Sequence, residues 1–327
     1  MAENSRQQGW WLWSKNPVSL MLWPLSLIFS LLVKVRVLLY QWHFLKSTKL
    51  PIPVLIIGNI SLGGNGKTPV VVSLLKLLQD KGYQPGILTR GYKSDYEQET
   101  TILSQAHTFD KAGDEANMLS ELCKCPIAVG ANRVESATTL LKQFPELDLL
   151  ITDDGLQHYA LDRDIEIIVQ RQQAYGNGFC LPAGPLREPK TRLKNADIII
   201  DRDGPDISER LGSCWNLKKP DLHCEISDFT GQKVNALAGI GFPELFFDAL
   251  RKQGLTLNDC QSFSDHENFT AQHLQPFINS PLLVTHKDAV KLRPFATENI
   301  WVVPLELTLS DDLQYRLLTL LEHRLHG

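Results

Sequence analysis

Short apolar runs alternate with segments of helical periodicity along most of the chain. The first run, residues 53–58, is unbroken and ends at a glycine, which is typical of a strand buried on both faces. Residues 70–80 follow with apolar side chains at helical spacing. The same alternation predicts strands at 85–89, 127–130, 147–152, 165–169 and 198–200, and helices at 114–123 and 134–143. This order indicates an α/β fold with a doubly wound, mostly parallel sheet.

The sequence becomes polar and irregular at residues 203–220, and a second set of α/β elements follows. Strands are predicted at 234–240, 282–285 and 300–305, and helices at 244–253 and 311–324. We therefore predict three parts: an apolar N-terminal segment (1–48), a first α/β domain (49–210) and a second, smaller α/β lobe (211–327). The second lobe would complete a cleft beyond the carboxyl ends of the strands, where ligands of such folds usually bind.

The N-terminal segment departs from this alternation, because residues 16–33 carry no charged side chain. Four tryptophans crowd its start: Trp10, Trp11, Trp13 and Trp23. Three interpretations stay open. The run approaches the roughly 18 residues of a membrane span, although Pro17 and Pro24 disfavour a straight one. Tryptophans also suit a helix lying at the membrane surface, and an apolar helix packed on the protein's own core is the third interpretation.

Composition narrows the function classes. The formal net charge of the 327-residue chain is -4, so the protein as a whole is not built to bind nucleic acid. Its six cysteines form no CxxC pair and no zinc-binding spacing, which predicts packing thiols in a reducing compartment. Four basic residues follow the apolar run: Lys34, Arg36, Lys46 and Lys49. They would keep the rest of a membrane-associated chain in the cytoplasm.

A glycine-rich turn joins the first strand of the 49–210 domain to its first helix. It reads Ser61-Leu62-Gly63-Gly64-Asn65-Gly66-Lys67-Thr68, which departs from the phosphate-loop pattern GxxxxGK[ST] only at Ser61. Backbone N–H groups of residues 63–66 would surround nucleotide phosphates at the positive end of the helix. Lys67 would reach the β- and γ-phosphates, and the Thr68 hydroxyl would bind Mg²⁺.

The strand predicted at 147–152 carries two carboxylates, Asp153 and Asp154, to the edge of the sheet. This is the form of a Walker B strand, which supplies an oxygen ligand for Mg²⁺ beside the phosphate loop. Two further polar residues, Gln157 and His158, follow within the same turn. An ordinary Asp-Gly turn explains Gly155 but not this concentration of polar groups. The sequence leaves open which of the two carboxylates contacts the metal.

Several classes of protein share a phosphate loop and an acidic strand end. A P-loop ligase or small-molecule kinase would need no membrane. A membrane-tethered GTPase switch would need an Asn-Lys-x-Asp guanine reader, and the nearest text, Thr285-His286-Lys287-Asp288, has the wrong spacing. The sequence has no signature of a transport ATPase subunit.

The motifs and their order resemble the tetraacyldisaccharide 4′-kinase (lipid A 4′-kinase) family. The resemblance begins with residues 59–69 and 153–158. Further segments continue it in order: Thr89-Arg90-Gly91-Tyr92, Gly113-Asp114-Glu115, Gly176-Asn177-Gly178, residues 181–188 and 238–243, Asp265-His266 and residues 287–291. These matches extend over about residues 50–291, and the apolar N-terminus stands in the family's usual place.

This resemblance implies a kinase that uses ATP and Mg²⁺ to phosphorylate the 4′-hydroxyl of a tetraacylated disaccharide 1-phosphate, giving lipid IVA. It implies a location at the cytoplasmic face of the bacterial inner membrane, and a catalytic base at Asp114 working with His266. It also implies a set of residues around the phosphates or the acceptor: Arg90, Arg133, Gln157, His158 and Arg187. From the residues alone, Asp114 is equally a helix N-cap, and Asp265-His266 is more readily a turn than part of a catalytic site.

The chain departs from the family pattern in three places. Residues 170–173, Gln-Arg-Gln-Gln, stand where an acidic residue is common. Asp201 replaces a common asparagine, and His286 replaces a frequent glutamate. We expect these changes to affect local substrate contacts or stability but not the phosphate chemistry.

Overall fold

The computed structural model describes residues 10–91, 100–103, 112–265, 267 and 269–326. The chain divides into two compact units. The first contains Met1–Ser208 together with Thr308–Gly327, and the second contains Glu209–Leu307. Each has its own mostly parallel sheet, which confirms the predicted α/β class.

Seven strands form the sheet of the first unit. They are β1 (Val54–Gly58), β2 (Pro85–Thr89), β3 (Thr101–Leu103), β4 (Ile127–Val129), β5 (Leu149–Asp153), β6 (Ile165–Gln170) and β7 (Ile198–Asp201). Their order is β3-β4-β2-β5-β1-β6-β7, and only β3 is antiparallel to its neighbour. The helices of this unit are α1 (Pro17–Gln41), α2 (Lys67–Asp80), α3 (Asp114–Leu122), α4 (Arg133–Gln143) and α8 (Asp311–His326).

The apolar strand β1 lies at the centre of this sheet, between β5 and β6. Every residue of β1, β2 and β5 is buried, as the unbroken apolar runs predict. Helix α2 contributes one apolar face to the same core through Val70, Val71, Leu74, Leu75 and Leu78. Because β1, β5 and β6 are parallel neighbours, the loops that follow them emerge side by side at one edge.

Helix α1 is continuous over 25 residues, about 37 Å. A capping box fixes its start: Asn16 Oδ1 accepts from Ser19 N at 3.0 Å, and Ser19 Oγ accepts from Asn16 N at 2.9 Å. The helix continues through Pro24, although this residue supplies no N–H. By length and composition, α1 is the one helix among the described residues that is long and apolar enough to cross a membrane.

One face of α1 docks on the segment 176–186 of the same unit. Ser26 Oγ donates to Cys180 O at 2.7 Å and accepts from Ala183 N at 3.0 Å. The opposite surface, the exposed apolar face of α1, comprises Leu20, Met21, Leu25, Leu27, Ile28, Leu31, Leu32 and Val35. Met21 is 84% exposed, so this face is far from packed on the protein's own core.

The second unit has a six-stranded sheet. Its strands are β9 (Cys214–Asn216), β10 (His223–Cys224), β11 (Lys233–Ala238), β12 (Thr256–Ser262), β13 (Leu282–Thr285) and β14 (Ile300–Val303). Their order in the sheet is β10-β9-β14-β13-β11-β12. Helices α5 (Pro243–Lys252), α6 (Ala271–Leu274) and α7 (His286–Leu292) complete it. The chain passes between the units at β8 (Ile207–Leu211) and β15 (Leu305–Leu309), which form a two-stranded sheet.

The C-terminal helix α8 belongs to the first unit, not to the 211–327 lobe expected from the sequence. Two ion pairs within the first unit hold it. Arg316 Nη2 lies 2.6 Å from Asp206 Oδ1, and Arg324 Nη2 lies 3.4 Å from Asp197 Oδ1. Leu313, Leu317 and Leu321 bury its apolar face. The sequence pattern predicts the helix but not the unit on which it packs, since packing depends on contacts distant along the chain.

Candidate active site

The phosphate loop joins β1 to α2 at the carboxyl edge of the first unit's sheet. Gly63 (φ 90°) and Gly66 (φ 67°) adopt left-handed backbone conformations, in which a side chain would be strained. Gly66 is the N-cap of α2, and Lys67 and Thr68 are the first two residues of the helix. The N–H groups of the first helical turn have no partner within the helix, so this end favours an anion.

Ser61 fits the place of the missing glycine. It pairs with Leu186 in an antiparallel bridge, and its Oγ accepts a hydrogen bond from Asn65 Nδ2 at 2.8 Å. Among the described non-glycine residues only His43 and Asp154 have a positive φ, so Ser61 needs no glycine-like freedom. Ser61 and Asn65 are both buried, and their hydrogen bond links the start of the loop to its far side.

The acidic end of β5 lies beside the phosphate loop, because Ile57 on β1 is in register with Asp153 on β5. The Thr68 hydroxyl donates to Asp153 Oδ2 at 3.2 Å. Lys67 Nζ lies 3.4 Å from Asp154 Oδ1. The tandem carboxylates therefore have different partners, Asp153 the threonine and Asp154 the lysine.

Asp154 also binds Arg187, whose Nη1 lies 3.1 and 3.0 Å from the two carboxylate oxygens. The backbone of Asp154 has φ 54°, an uncommon conformation for a residue other than glycine. Burial raises the pKa of Asp154, but Lys67 and Arg187 together outweigh burial and hold this pKa well below its usual range. Asp154 is thus an ionised carboxylate between two cations.

Asp153 has the opposite electrostatic setting. Burial, followed by the charge of Glu115, raises its pKa to about 7 against the effect of Lys67. Its Oδ1 is buried and finds no hydrogen-bond partner among the described residues. A buried carboxylate oxygen of this kind, beside a threonine hydroxyl, fits the oxygen ligands that Mg²⁺ prefers.

The described part of the chain holds no cluster of three or more His, Cys, Asp or Glu that would cage a metal. Nucleotide-bound Mg²⁺ does not need such a cage, since it takes one or two protein ligands and completes its shell with phosphates and water. Thr68 and Asp153 are therefore a sufficient pair, and the fit to Mg²⁺ stands on their geometry.

The three predicted arginines occupy different settings. Arg187 contacts Asp154 directly, whereas Arg90 follows β2 and has an exposed side chain. Arg133 is buried at the first position of α4, where it donates to Gly130 O and, at 3.5 Å, to Asp153 O. Burial lowers the pKa of Arg133 to about 10 against the effect of nearby carboxylates. Arg133 therefore supports the backbone that carries the acidic pair.

Gln157 and His158 lie at the same edge. Gln157 Nε2 donates to Asn59 O at 3.1 Å and to Glu188 Oε1 at 2.8 Å, and its Oε1 accepts from Arg187 at 3.4 Å. His158 is half-buried, and burial, followed by neighbouring arginines, lowers its pKa to about 4. The imidazole of His158 is therefore neutral near pH 7.

Asp114 is the first residue of α3, and the N-cap of that helix is Gly113 (φ 83°). The alternative role of Asp114 as the cap is therefore wrong. An acidic side chain is nevertheless favoured in this first turn, at the positive end of the helix. His266 lies outside the described residues, and its neighbour Asp265 pairs within the second unit with Lys287 at 2.9 Å. The pairing of Asp114 with His266 stays a prediction.

A buried polar network behind Gln157 was not predicted. Glu188 is buried and accepts hydrogen bonds from Gln157 and, at 2.8 Å, from the Tyr159 hydroxyl. Arg192 Nε lies 3.3 Å from Glu188 Oε2, and Arg192 also pairs with Glu166 on β6. Glu188 lies in the segment 181–188 that resembles the family, but its partners Gln157 and Tyr159 are 31 and 29 residues away along the chain.

Two departures from the family pattern contact each other. Gln170, at the end of β6, donates through Nε2 to Asp201 Oδ2 at 3.2 Å across to β7. Arg171 Nη1, on the next residue, lies 3.0 Å from Asp203 Oδ1. These contacts support the expectation that the changes act on local structure. The third departure, His286, begins α7 in the second unit.

Comparison with known proteins agrees with this geometry. The family model "LpxK: Tetraacyldisaccharide-1-P 4′-kinase" matches residues 18–322. Tetraacyldisaccharide 4′-kinase of Idiomarina loihiensis is 38% identical over 325 residues, covering 98% of this chain and 98% of its own. The enzyme of the same name from Actinobacillus pleuropneumoniae serotype 5b is 41% identical over 314 residues, covering 91% of this chain and 94% of its own.

A solved structure extends the likeness to the fold. The crystal structure of LpxK from Aquifex aeolicus in complex with ATP is similar with a TM-score of 0.77 and 27% sequence identity. The match covers 93% of this chain and 99% of that one. The family match, the relatives and the fold agree, and the chain belongs to the tetraacyldisaccharide-1-P 4′-kinase family.

Proposed function

We propose that this chain transfers the γ-phosphate of ATP to the 4′-hydroxyl of a tetraacylated disaccharide 1-phosphate at a membrane surface. The observation that carries this proposal is the direct contact between the phosphate loop and the two carboxylates at the end of β5. Thr68 meets Asp153 at 3.2 Å, and Lys67 meets Asp154 at 3.4 Å, in a chain that the kinase family matches over nearly its whole length.

The phosphate loop would hold the nucleotide through its backbone N–H groups and the positive end of α2. Lys67 and Arg187 both contact Asp154, so one carboxylate holds two cations beside the loop. Transfer of a phosphoryl group depends mainly on positioning and on stabilising charge at the phosphate oxygens. The two preorganised cations supply both.

Thr68 and Asp153 would hold the Mg²⁺ ion, since their oxygens meet beside the phosphate loop. When bound, Mg²⁺ neutralises charge on the β- and γ-phosphate oxygens. Asp154 is already engaged by Lys67 and Arg187, so its role would be to orient these two side chains. This division supports Asp153, rather than Asp154, as the carboxylate that would contact the metal.

A sugar hydroxyl needs a base to become an effective nucleophile near neutral pH. Asp114 is proposed for this role, with His266 as its partner. Asp114 stands at the start of α3 in the unit that holds the phosphate loop. A carboxylate at this place can accept the proton of the 4′-hydroxyl as its oxygen attacks the γ-phosphate.

Asp114→Ala should lower kcat by about a hundredfold while the Kd of a non-hydrolysable ATP analogue changes less than about threefold. The base acts on the acceptor and not on nucleotide binding. Single-turnover phosphate transfer and equilibrium titration measure the two effects. Asp312→Ala, which removes an acidic residue from the first turn of α8, is the matched control for helix stability. Equal loss in kcat and in ATP affinity would point to a metal-binding or structural role for Asp114.

The membrane part of the proposal rests on α1. Its exposed apolar face presents eight large apolar side chains, while Ser19 and Ser26 on the other side are buried. A helix with this asymmetry inserts its apolar side among lipid chains and keeps its docked side on the protein. The acyl chains of the substrate would lie in the same membrane. Helix α1 would therefore hold the kinase domain at the surface where its substrate is found.

Replacing Leu31 and Leu32 by glutamate should weaken membrane binding at least about tenfold, because two apolar side chains would leave the lipid. Co-sedimentation with phosphatidylethanolamine–phosphatidylglycerol vesicles measures the change. Tyr315→Glu on α8 is the control, since Tyr315 is 71% exposed and lies outside the apolar face. Unchanged sedimentation of the double variant would remove this face from membrane binding.

The function itself is tested by incubating purified protein with γ-labelled ATP, Mg²⁺ and tetraacyldisaccharide 1-phosphate in detergent micelles. Label in the lipid is the expected result, and loss of transfer when Mg²⁺ is chelated is expected with it. ATP binding without label in the lipid would keep the phosphate-loop assignment and discard this acceptor.

A further inference from the structure

Arg202 follows β7, and its side chain reaches the phosphate loop. Its Nη1 donates to Gly66 O at 2.6 Å, across 136 residues of chain. The side chain packs closely there, since a Cβ built on Gly66 would lie 2.7 Å from Arg202 Nη1. Arg202 is 6% exposed. No feature of the sequence marked this residue, because it follows a predicted strand far from the loop.

The topology shows why an arginine is needed for this contact. β7 and β1 are separated by β6, so their axes lie about 10 Å apart. The backbone of Arg202 is fixed to β6 by the hydrogen bond from its N–H to Gln170 O at 2.9 Å. From there only a long side chain with a terminal donor spans β6 and meets the loop.

Gly66 is the residue at which the loop turns into α2. It has φ 67° and ψ 36°, and the next two residues are Lys67 and Thr68. A charge-assisted hydrogen bond to its carbonyl oxygen fixes the orientation of this peptide group. The same contact places a guanidinium at the positive end of α2, which is unfavourable unless an anion shares the site. A nucleotide phosphate is such an anion.

We propose that Arg202 is a positioning residue that holds the phosphate loop in its nucleotide-binding conformation through Gly66 O. This inference rests on the proposed binding of ATP at the loop. Arg202 reaches the loop from β7, whereas Asp153 reaches it from β5, which lies on the other side of β1. Removal of Arg202 should therefore weaken nucleotide binding and leave the binding of the lipid acceptor unchanged.

Arg202→Ala should raise both the Kd of a non-hydrolysable ATP analogue and the KM for ATP about tenfold, since a hydrogen bond from a charged group is lost. The KM for the lipid acceptor should stay within about twofold. Arg202→Lys keeps the charge and a donor, and should recover ATP affinity to within about threefold of wild type. Arg202→Met fills most of the same volume without a donor, so it tests the contact if the alanine variant fails to fold.

Arg171→Ala is the matched control. Arg171 is buried directly after the neighbouring strand β6 and pairs with Asp203. Its loss should lower the melting temperature without moving ATP affinity by more than about twofold. If Arg171→Ala weakens ATP binding as much as Arg202→Ala does, the effect belongs to the turn that follows β7, and the proposal is overturned.

Three other outcomes are decisive. Wild-type protein that binds ATP, together with Arg202→Ala and Arg202→Met variants that bind it equally well, would overturn the role of Arg202 and leave the proposed function intact. Wild-type protein that binds no ATP would overturn both. The positioning role would be established if Arg202→Ala raises the KM for ATP but not the KM for the lipid acceptor, and if Arg202→Lys restores ATP affinity.

Discussion

Lys67→Ala is expected to reduce kcat by at least about a thousandfold with the fold intact. Lys67 Nζ lies at the start of α2, 3.4 Å from Asp154 Oδ1, and its side chain is mostly buried. Removal of this cation withdraws charge stabilisation from the transferring phosphoryl group. Of the two cations that contact Asp154, only Arg187 then remains. Phosphate transfer from γ-labelled ATP to the lipid acceptor measures the loss.

The control for this prediction is Lys76→Ala on the same helix. Lys76 is exposed on α2, so its removal changes the charge of the helix without touching the phosphate loop. Both variants should melt within a few degrees of the wild type. Near-wild-type turnover in Lys67→Ala would remove Lys67 from the mechanism, and equal losses in both variants would indicate a general electrostatic effect.

The chemistry near the phosphate loop was predictable because its signals are local. The strand at β1, the glycines at positions 63 and 66, and the helix that begins at Lys67 are adjacent in the sequence. The two carboxylates end a strand whose apolar run is equally plain. Only the parallel sheet is needed to bring them together, since β1 and β5 are neighbours.

The supports around that site were not predictable, because they join residues far apart in sequence. Glu188 meets Gln157 and Tyr159, and Arg202 meets Gly66, only after the order of β1, β6 and β7 is fixed. A surface arginine and a buried one look alike in a sequence. The same holds for α8, whose periodicity predicts a helix but not the unit it joins.

Strand β12 shows a second limit. Residues Thr256–Ser262 form the edge of the second unit's sheet, and their side chains are exposed or half-buried. Such an edge strand lacks the apolar run that marks a central strand. For α1, the length and apolar character were predictable from the uncharged run, whereas the division into docked and exposed faces depends on contacts such as that of Ser26 with Cys180.

Asp153→Asn should lower kcat by about a thousandfold and weaken Mg²⁺ binding, whereas the fold should be retained. The amide is nearly isosteric with the carboxylic acid, and burial already raises the pKa of Asp153 to about 7, so a neutral group is tolerated at this place. One ligand oxygen beside Thr68 is nevertheless lost. Mn²⁺ titration followed by electron paramagnetic resonance, with the ATP analogue present, measures metal affinity apart from turnover.

Asp154→Asn is the matched variant, because it makes the same chemical change one residue away. It should leave Mn²⁺ affinity within about threefold of wild type and reduce kcat less, since Asp154 orients Lys67 and Arg187 and does not contact the metal in this assignment. Its melting temperature should fall, because two cations lose the ionised carboxylate between them. Weaker Mn²⁺ binding in Asp154→Asn than in Asp153→Asn would exchange the two roles.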